Sequence, residues 1–413
     1  MTRDGAGSVS RRTFALSAGL GLGSAAAFSP SANAGQGGVS VDDLVAGRAS
    51  GPDGARLQAA VDEAIRRDVR RLVIPPKAGG YLLTAPIVVP PAGGGLEILG
   101  AGPAGELRCE AGDAGIVVQA HRVGLSDIHL AGRGRFFKQT GVVFRKSRNP
   151  DDVDASVQNC QFSDFGAGVS FEGRGLRFSD NRIVSCETGV RLDWPEDVSE
   201  TDPVLQRLPY GYRKITLFRN YGHNVSVMFR NVSSHPIVGA QISDNHVDVG
   251  RAFWFGPISH SIIGPNIARN CKRIPIFIIG ECAGVRISGL YGGLPEPAAG
   301  GEAVHQPSLG LYFKGEVRSL TLDVSLTDLG RGGVVFAGNV EGADVRIAYD
   351  AAAAMRSDRF VRFRGDADNV FMKLIFPRTM NGSMGVAVDG ELTGGDLALL
   401  ARSGRGVDAK EEK

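Results

Sequence analysis

The sequence lacks the features that usually indicate a disulfide framework, a metal site or a membrane span. It contains five cysteines, an odd number, and their spacing matches no metal-ligand motif, so we expect free thiols. No stretch of about 20 apolar residues occurs after the first 34 residues, which argues against a transmembrane helix there. The formal net charge is only +2, so the composition does not indicate a nucleic-acid partner. We expect neither a cofactor nor a metal ion.

The first 34 residues are predicted to direct export. Ser10-Arg11-Arg12-Thr13-Phe14-Ala15-Leu16 precedes a short apolar run, Ala18 to Phe28, and Ser31-Ala32-Asn33-Ala34 supplies small residues for cleavage. This order of paired arginines, apolar run and cleavage site resembles a twin-arginine signal. We therefore expect a periplasmic or secreted protein with no membrane segment once the signal is removed.

A short pattern of three strands recurs from residue 116 to about residue 364. Each repeat begins with an apolar-x-apolar strand, and these strands start at residues 116, 142, 169, 190, 227, 253, 276, 311, 334 and 361. Most of these intervals are typical of one coil of a β-solenoid. The pattern predicts an all-β protein, a right-handed parallel β-helix of about ten coils over residues 96–377. Residues 35–95 are predicted to form an N-terminal cap and the first strands, and residues 378–413 a C-terminal cap and tail.

Asparagines mark the end of the second strand in successive repeats. They are Asn159, Asn181, Asn220, Asn245 and Asn266. Asparagine tolerates a left-handed bend, and its side-chain amide can bond the next coil. We therefore predict a structural asparagine ladder inside one turn of the helix. Cys186 and Cys271 each follow a ladder position by five residues and should point inward.

Residues 53–68 are predicted to form a capping helix. Asp53 is the expected N-cap residue, and Leu57, Val61, Ala64 and Ile65 form an apolar stripe.

Three segments at the N-terminal end carry a resemblance to a known family. They are Leu57-Gln58-Ala59-Ala60-Val61-Asp62-Glu63-Ala64, Val73-Ile74-Pro75-Pro76 and Ile98-Leu99-Gly100-Ala101-Gly102. These segments resemble the pectate-lyase-like superfamily, which includes polygalacturonase-related hydrolases, lyases and tailspike depolymerases. The resemblance implies a β-helix that handles a polysaccharide. The polygalacturonase signature itself is not present, so no catalytic residue is transferred from that family.

The resemblance also implies a ligand cleft on the outer face of the first strands. The outward positions there are predicted to be Val143, Arg145, Ser170, Glu172, Arg191, Asp193, Met228, Arg230, Trp254, Phe277, Ile279, Tyr312 and Lys314. Glycoside hydrolysis needs two carboxyl groups, and we predict Glu172 and Asp193 for these roles. His235 and His260, expected in the following turn of adjacent coils, are further catalytic candidates.

Cations and aromatic rings in the same column are predicted to bind an acidic sugar. They are Arg145, Arg191, Arg230, Trp254, Tyr312 and Lys314. Two insertions, residues 194–212 and 294–309, are expected to wall this cleft. Two alternatives stay open. The carboxylates could only pair with the arginines as a surface charge ladder, and the apolar row could be the interface of a homotrimer.

A second polar column is predicted on the outer face of the third strands. It contains Arg182, Tyr221, His223, His246, Asp248 and Arg269. A histidine, a tyrosine and arginines could carry out β-elimination of a uronate, because this reaction needs a base, an acid and cations for the carboxylate. No long insertion is evident beside this face, so a polar surface or a subunit interface is the alternative.

The leading hypothesis is an exported carbohydrate-active enzyme that cleaves an acidic polysaccharide by glycoside hydrolysis. A polysaccharide lyase is the alternative reaction, and a fructotransferase is a more distant one. A glycan-binding or structural β-helix without catalytic activity is the non-enzymatic alternative. The expected partner is a polysaccharide or oligosaccharide.

Overall fold

The structure is a computed structural model. It describes residues 38–46, 51–145, 154–173, 175–193, 212–231, 234, 236–248, 250–293, 309–329, 332–350, 359–377 and 385–402. Within these ranges the chain forms a parallel β-helix, because its strands lie in two long sheets whose described pairings are all parallel. The fold class predicted from the repeat is confirmed.

The first strands of successive coils form a twelve-stranded sheet, here called the first-strand sheet. Its strands are Ile87–Val89, Ala114–Val118, Thr140–Phe144, Ala167–Phe171, Thr188–Leu192, Val227–Asn231, Arg251–Phe255, Ile276–Ile278, Leu311–Phe313, Val334–Phe336, Arg359–Phe363 and Gly385–Val388. Each strand pairs with the equivalent strand of the next coil, so equivalent side chains form columns along the helix.

The remaining strands form a twenty-five-stranded sheet, here called the larger sheet. Up to residue 184 they are Val39–Ser40, Arg71–Val73, Tyr81–Leu83, Glu97–Leu99, Leu107–Cys109, Gly124–Ser126, His129–Ala131, Asp154–Gln158, Gln161–Ser163, Gly175–Ser179 and Arg182–Val184. The next are Tyr212–Arg213, Ile215–Phe218, Tyr221–His223, Ile237–Val238, Gln241–Ser243, His246–Asp248, Ile258–Ser259 and Ile262–Cys271. The last are Cys282–Ala283, Arg286–Gly293, Val317–Thr327, Val340–Asp350, Ala367–Pro377 and Leu392–Arg402.

Aromatic and branched side chains from both sheets fill the interior of the helix. The predicted inward residues are all buried: Val169, Phe171, Val190, Leu192, Val227, Phe229, Phe253 and Phe255. Phenylalanines of neighbouring coils stack on one another, as Phe229 and Phe253 do with ring centroids 5.8 Å apart. The period-2 alternation of the first strands therefore identifies the core correctly.

The asparagine ladder is confirmed for four of its five predicted members. The backbone N–H of Asn181 donates to Oδ1 of Asn220, and the same contact repeats from Asn220 to Asn245 and from Asn245 to Asn266, each at 3.0 Å. Asn159 is the exception. It occupies the exposed bend one residue earlier, with φ 52°, and Cys160 takes the ladder position.

The ladder predicts that replacing asparagine by glycine has a much larger effect on stability at a ladder position than outside the ladder. Asn220 Oδ1 accepts two hydrogen bonds from Asn181, and its amide donates to Phe178 O and to Asn245 Oδ1. Asn220→Gly leaves several of these buried groups unpaired, at about 1–3 kcal/mol each, whereas Asn159→Gly keeps a residue suited to positive φ. Urea unfolding should show a clearly lower midpoint for Asn220→Gly, and equal midpoints would contradict a structural ladder.

Two helices precede the coils, α1 at Val41–Val45 and α2 at Asp53–Arg66, and short 3-10 turns follow at Pro91–Gly93 and Gly102–Gly105. The apolar stripe of α2 is buried at Leu57, Ala60, Val61 and Ala64. The N-cap prediction is wrong by one residue. Pro52 holds that position, and the Asp53 carboxylate instead accepts the backbone N–H of Leu82 at 2.9 Å. None of the helices in the described ranges is long and apolar enough to cross a membrane.

All five cysteines are free thiols, as predicted, and all five are buried, including Cys186 and Cys271, for which inward positions were predicted. Burial raises the pKa of each thiol, for example that of Cys186 to about 12. A buried thiol with a raised pKa has little thiolate to react. An aromatic disulfide reagent at neutral pH is therefore expected to label none of the five thiols in folded protein and all five in guanidinium chloride. Rapid labelling of the folded protein would contradict this arrangement.

Candidate functional site

The outer face of the first-strand sheet carries one continuous column of side chains, here called the first-strand column. In register it contains Val88, Val117, Val143, Ser170, Arg191, Arg230, Trp254, Phe277, Tyr312, Val335, Arg362 and Ala387. Neighbouring members are about 4.8 Å apart along the helix. The column therefore joins the predicted polar residues to the predicted aromatic row.

One position in this column differs from the sequence prediction. Arg230 pairs with Arg191 and Trp254, whereas Met228, predicted to point outward, is fully buried. Its sulfur lies close to Gly189 and Gly222, where a Cβ atom would be only 3.1 and 2.7 Å from it. Glycine at these positions leaves room for Met228 inside the helix.

The predicted carboxylates lie directly after two neighbouring first strands. Phe171 pairs with Leu192, so Glu172 and Asp193, the next residues, occupy equivalent positions of adjacent coils. The Asp193 carboxylate forms an ion pair with the Nε of Arg191 and accepts a hydrogen bond from Ser170 Oγ at 2.8 Å. Both carboxyl-bearing side chains are partly exposed. The arrangement offers one carboxylate oriented by an arginine and a serine, and a second carboxyl group one coil away.

Arginines and aromatic rings meet in the next coils. Trp254 packs edge-to-face against Phe277, and Phe277 stacks on Tyr312 with centroids 5.3 Å apart. The guanidinium carbons of Arg230 and Arg251 each lie 4.8 Å from the Trp254 ring centroid. Flat apolar surfaces of this kind suit the C–H faces of sugar rings, and guanidinium groups suit carboxylates. Arg251, which the sequence analysis missed, belongs to this part of the site.

The six residues predicted on the third-strand face also lie together. In register they form two columns, Arg182–Tyr221–His246 and His223–Asp248–Arg269. The Tyr221 and His246 rings meet edge-to-face, with centroids 5.4 Å apart. His223 Nδ1 lies 3.1 Å from Asp248 Oδ2, and the other Asp248 oxygen accepts from Asn270 Nδ2 at 2.7 Å. The predicted adjacency of these side chains is confirmed.

A loop that the sequence analysis did not identify borders the third-strand face. Residues 132–139, here called the strap, connect a third strand to the following first strand. Arg135 Nη1 in the strap donates to Asn224 Oδ1 at 3.1 Å, and Asn224 directly follows His223. The strap exposes Phe136 and Phe137. A short loop therefore accompanies this face, where the sequence shows no long insertion.

The remaining predicted residues have different outcomes. His235 and the insertions 194–212 and 294–309 lie wholly or almost wholly outside the described residues. His260 is exposed at a left-handed corner of the larger sheet, with φ 48°. Gly239 of the adjacent coil lies beside His260, because Val238 pairs with Ser259. Arg145 and Lys314 are exposed just after their first strands.

One cavity lies apart from both polar faces. It has a volume of about 540 Å³ and is lined by residues 76–80, 103, 104, 106 and 108, near the N-terminal end. It is open to solvent, and its lining includes no histidine, so its chemistry is poorer than that of the two faces. In the described part of the chain, no group of three or more His, Cys, Asp or Glu side chains is arranged to hold a metal ion.

No known protein family and no curated protein matches the sequence. Solved structures with a similar course of the chain include the A-module of the mannuronan C-5 epimerase AlgE6 from Azotobacter vinelandii. The match has a TM-score of 0.45 and 13% identity, and covers 87% of this chain and 99% of that one. The Streptococcus pneumoniae surface adhesin PfbA matches with a TM-score of 0.37 and 9% identity, covering 91% and 98%. The tailspike of Acinetobacter phage vB_ApiP_P1 matches at 0.32 and 12%, covering 87% and 60%.

The third-strand face predicts a pH dependence of stability. Burial of its ring, and then the nearby Arg269, lower the pKa of His246 below its ordinary value of 6.5. The unfolded chain therefore binds a proton at His246 more readily than the folded protein does. The contribution of His246 to stability is full above pH 6.5 and is lost as the pH falls below that value. Urea midpoints at pH 7.5 and pH 5 should differ less in His246→Asn than in the wild type. His260→Asn, which changes an exposed ring, should keep the wild-type difference, and an unchanged difference in His246→Asn would contradict the prediction.

Proposed function

We propose that this protein is an exported enzyme that binds an acidic polysaccharide along the first-strand column from Arg191 to Tyr312 and hydrolyses its glycosidic bonds. The observation that carries the proposal is the continuity of the column. One register line leads from Arg191, the partner of Asp193, through Arg230 to Trp254, Phe277 and Tyr312. A polysaccharide is a linear ligand, and a linear column of aromatic rings and cations offers it successive contacts.

Glu172 and Asp193 would divide the two roles that hydrolysis needs. Arg191 and Ser170 orient the carboxylate of Asp193, so it would act as the base or the nucleophile. Glu172, one coil away, would then donate a proton to the leaving oxygen. Water supplies the group that replaces the departing sugar, and the reaction produces a new reducing end.

Elimination on the third-strand face is the second candidate. It is favoured by the contact of Tyr221 with His246, whose lowered pKa supports a neutral ring that can accept a proton at neutral pH. His246 would take the proton beside the uronate carboxylate, Tyr221 would protonate the leaving oxygen, and Arg182 would stabilise the charge. This reaction leaves a double bond in the product and consumes no water.

Incubation with a panel of acidic polysaccharides tests both candidates. Hydrolysis is expected to release reducing ends without ultraviolet absorbance, whereas elimination adds the absorbance of an unsaturated uronate. Cleavage with that absorbance would replace hydrolysis by elimination. Binding of a polysaccharide without any cleavage would leave a non-catalytic glycan-binding protein.

A further inference from the structure

Two arginines lie over the ring of Trp254, and a third lies near one of them. The guanidinium of Arg251 lies 4.8 Å from the Trp254 ring centroid and 5.0 Å from that of Phe277, and Arg230 lies 4.8 Å from Trp254. Arg273 is close enough to Arg251 to act on it electrostatically. In the part of the chain that the structure describes, none of the three arginines forms an ion pair. This group, Arg230, Arg251, Arg273 and Trp254, is here called the arginine cluster.

The cluster contains polar atoms that stacking does not satisfy. A guanidinium that lies over an aromatic ring uses its face, so its N–H donors at the edge still need acceptors. The Nε atoms of Arg230 and Arg251 and the indole Nε1 of Trp254 are buried, and no acceptor reaches them among the described residues. Buried polar atoms are paired in the great majority of native structures. Three neighbouring unpaired donors therefore indicate an acceptor that the described residues do not supply.

Repulsion between the arginines of the cluster indicates that this acceptor carries a negative charge. Burial, and then Arg273 and Arg230, lower the pKa of Arg251 to about 10, so its positive charge is held in unfavourable surroundings. An anion bound between the guanidinium groups would reduce the repulsion and would also accept hydrogen bonds from the unpaired donors. The planar guanidinium fork matches an anion that presents two oxygens in one plane.

We propose that the arginine cluster is a subsite for the carboxylate of a uronic acid residue. The inference rests on the proposed function for the sugar to which the carboxylate belongs, since the adjoining rings of Phe277 and Tyr312 give that sugar an apolar surface. The register from Arg191 through Arg230 to Trp254 places Trp254 two coils beyond the strand that ends beside Asp193. The enzyme thus recognises the charge of a sugar unit away from the bond that it cleaves.

Three matched oligosaccharide probes test the ligand. They are an oligogalacturonide, the same oligosaccharide with its carboxyl groups reduced to alcohols, and a sulfated neutral oligosaccharide. Titration calorimetry is expected to show at least about tenfold tighter binding of the oligogalacturonide than of the reduced form, as one well-formed bond to a charged group provides. Equal affinity for these two probes would overturn the proposal. Tighter binding of the sulfated probe than of the oligogalacturonide would replace the carboxylate by a sulfate ester and would also overturn it.

Substitutions then test whether the preference for the carboxylate-bearing probe arises from the arginine cluster. Arg251→Met and Arg251→Lys should each lose most of the tenfold preference, because Met lacks the charge and Lys lacks the fork. Arg362→Met is the matched control. Arg362 lies in the same first-strand column, but its charge is already paired with Asp389 at 2.6 Å, so this variant should keep the preference. Full preference in both Arg251 variants, or an equal loss in the control, would contradict the assignment.

Stability separates a binding role from a structural one. Removing an unpaired cation that two others repel should leave the melting temperature of Arg251→Met unchanged or higher in the absence of ligand. A structural arginine would instead give a clearly lower melting temperature, and that result would oppose the proposal. Failure of the subsite and failure of hydrolysis remain distinguishable. Cleavage without a carboxylate preference would rule out only the proposed subsite, and a carboxylate preference without cleavage would rule out only hydrolysis.

Discussion

Glu172→Gln and Asp193→Asn are each expected to reduce turnover of a cleaved polysaccharide by about two to four orders of magnitude. Each substitution keeps the shape of the side chain and removes the group that gains or loses a proton. Because the aromatic row and the arginines are unchanged, the dissociation constant for the polysaccharide should stay within a few-fold of the wild type. Turnover measured at saturating substrate, together with binding measured by calorimetry, distinguishes these effects.

The chain contains a close structural match that serves as the control. Asp389 follows a first strand as Asp193 does, since its N–H donates to Phe363 O. Each carboxylate forms an ion pair with an arginine of the first-strand column, Asp389 with Arg362 of the preceding coil and Asp193 with Arg191 of its own strand. Asp389→Asn therefore removes a comparable ion pair far along the helix and should leave turnover unchanged. If Asp193→Asn has as little effect as Asp389→Asn, the carboxylates form only a surface charge ladder.

Phe229→Ala is expected to reduce the free energy of unfolding by about 3–5 kcal/mol. Phe229 is 2% exposed, stacks on Phe253 and meets Phe178 edge-to-face, so truncation leaves a cavity in the middle of the interior column. Phe136→Ala is the control with the same change of residue. Its ring is 83% exposed in the strap, and such surface changes cost no more than about 0.5 kcal/mol. Chemical denaturation measures both, and similar losses would contradict the coil assignment.

The repeat predicted the fold because alternation is unambiguous wherever a polar residue separates two apolar ones. In Val169-Ser170-Phe171 only one orientation points both apolar side chains inward, and the structure adopts it. In Val227-Met228-Phe229 all three residues are apolar, so alternation could not decide which residue pairs with Val190. The observed pairing of Val190 with Phe229 places Arg230, rather than Met228, beside Arg191. Register across coils is a tertiary property, and a local pattern does not determine it when every side chain could be buried.

The other features that the sequence did not predict were missed for similar physical reasons. Arg251 lies two residues before the apolar triplet of its strand, outside the alternating pattern, and only its side-chain conformation places it over the ring of Trp254. Asn159 follows a second strand like the ladder asparagines, but it occupies the left-handed bend, because the ladder position in that coil belongs to Cys160. The importance of the strap depends on the contact of Arg135 with Asn224, which are 89 residues apart in the chain. Contacts of this range leave no local signal in the sequence.

The most direct test of the account compares the two faces on one substrate. A polysaccharide that the wild type cleaves is incubated with equal amounts of Asp193→Asn and Tyr221→Phe, and both reducing ends and ultraviolet absorbance are followed. The account predicts that Asp193→Asn loses cleavage by at least about a hundredfold, while Tyr221→Phe releases reducing ends at close to the wild-type rate without new absorbance. Loss of cleavage in Tyr221→Phe, with full activity in Asp193→Asn and an absorbing product from the wild type, would contradict hydrolysis on the first-strand column and assign the reaction to the third-strand face.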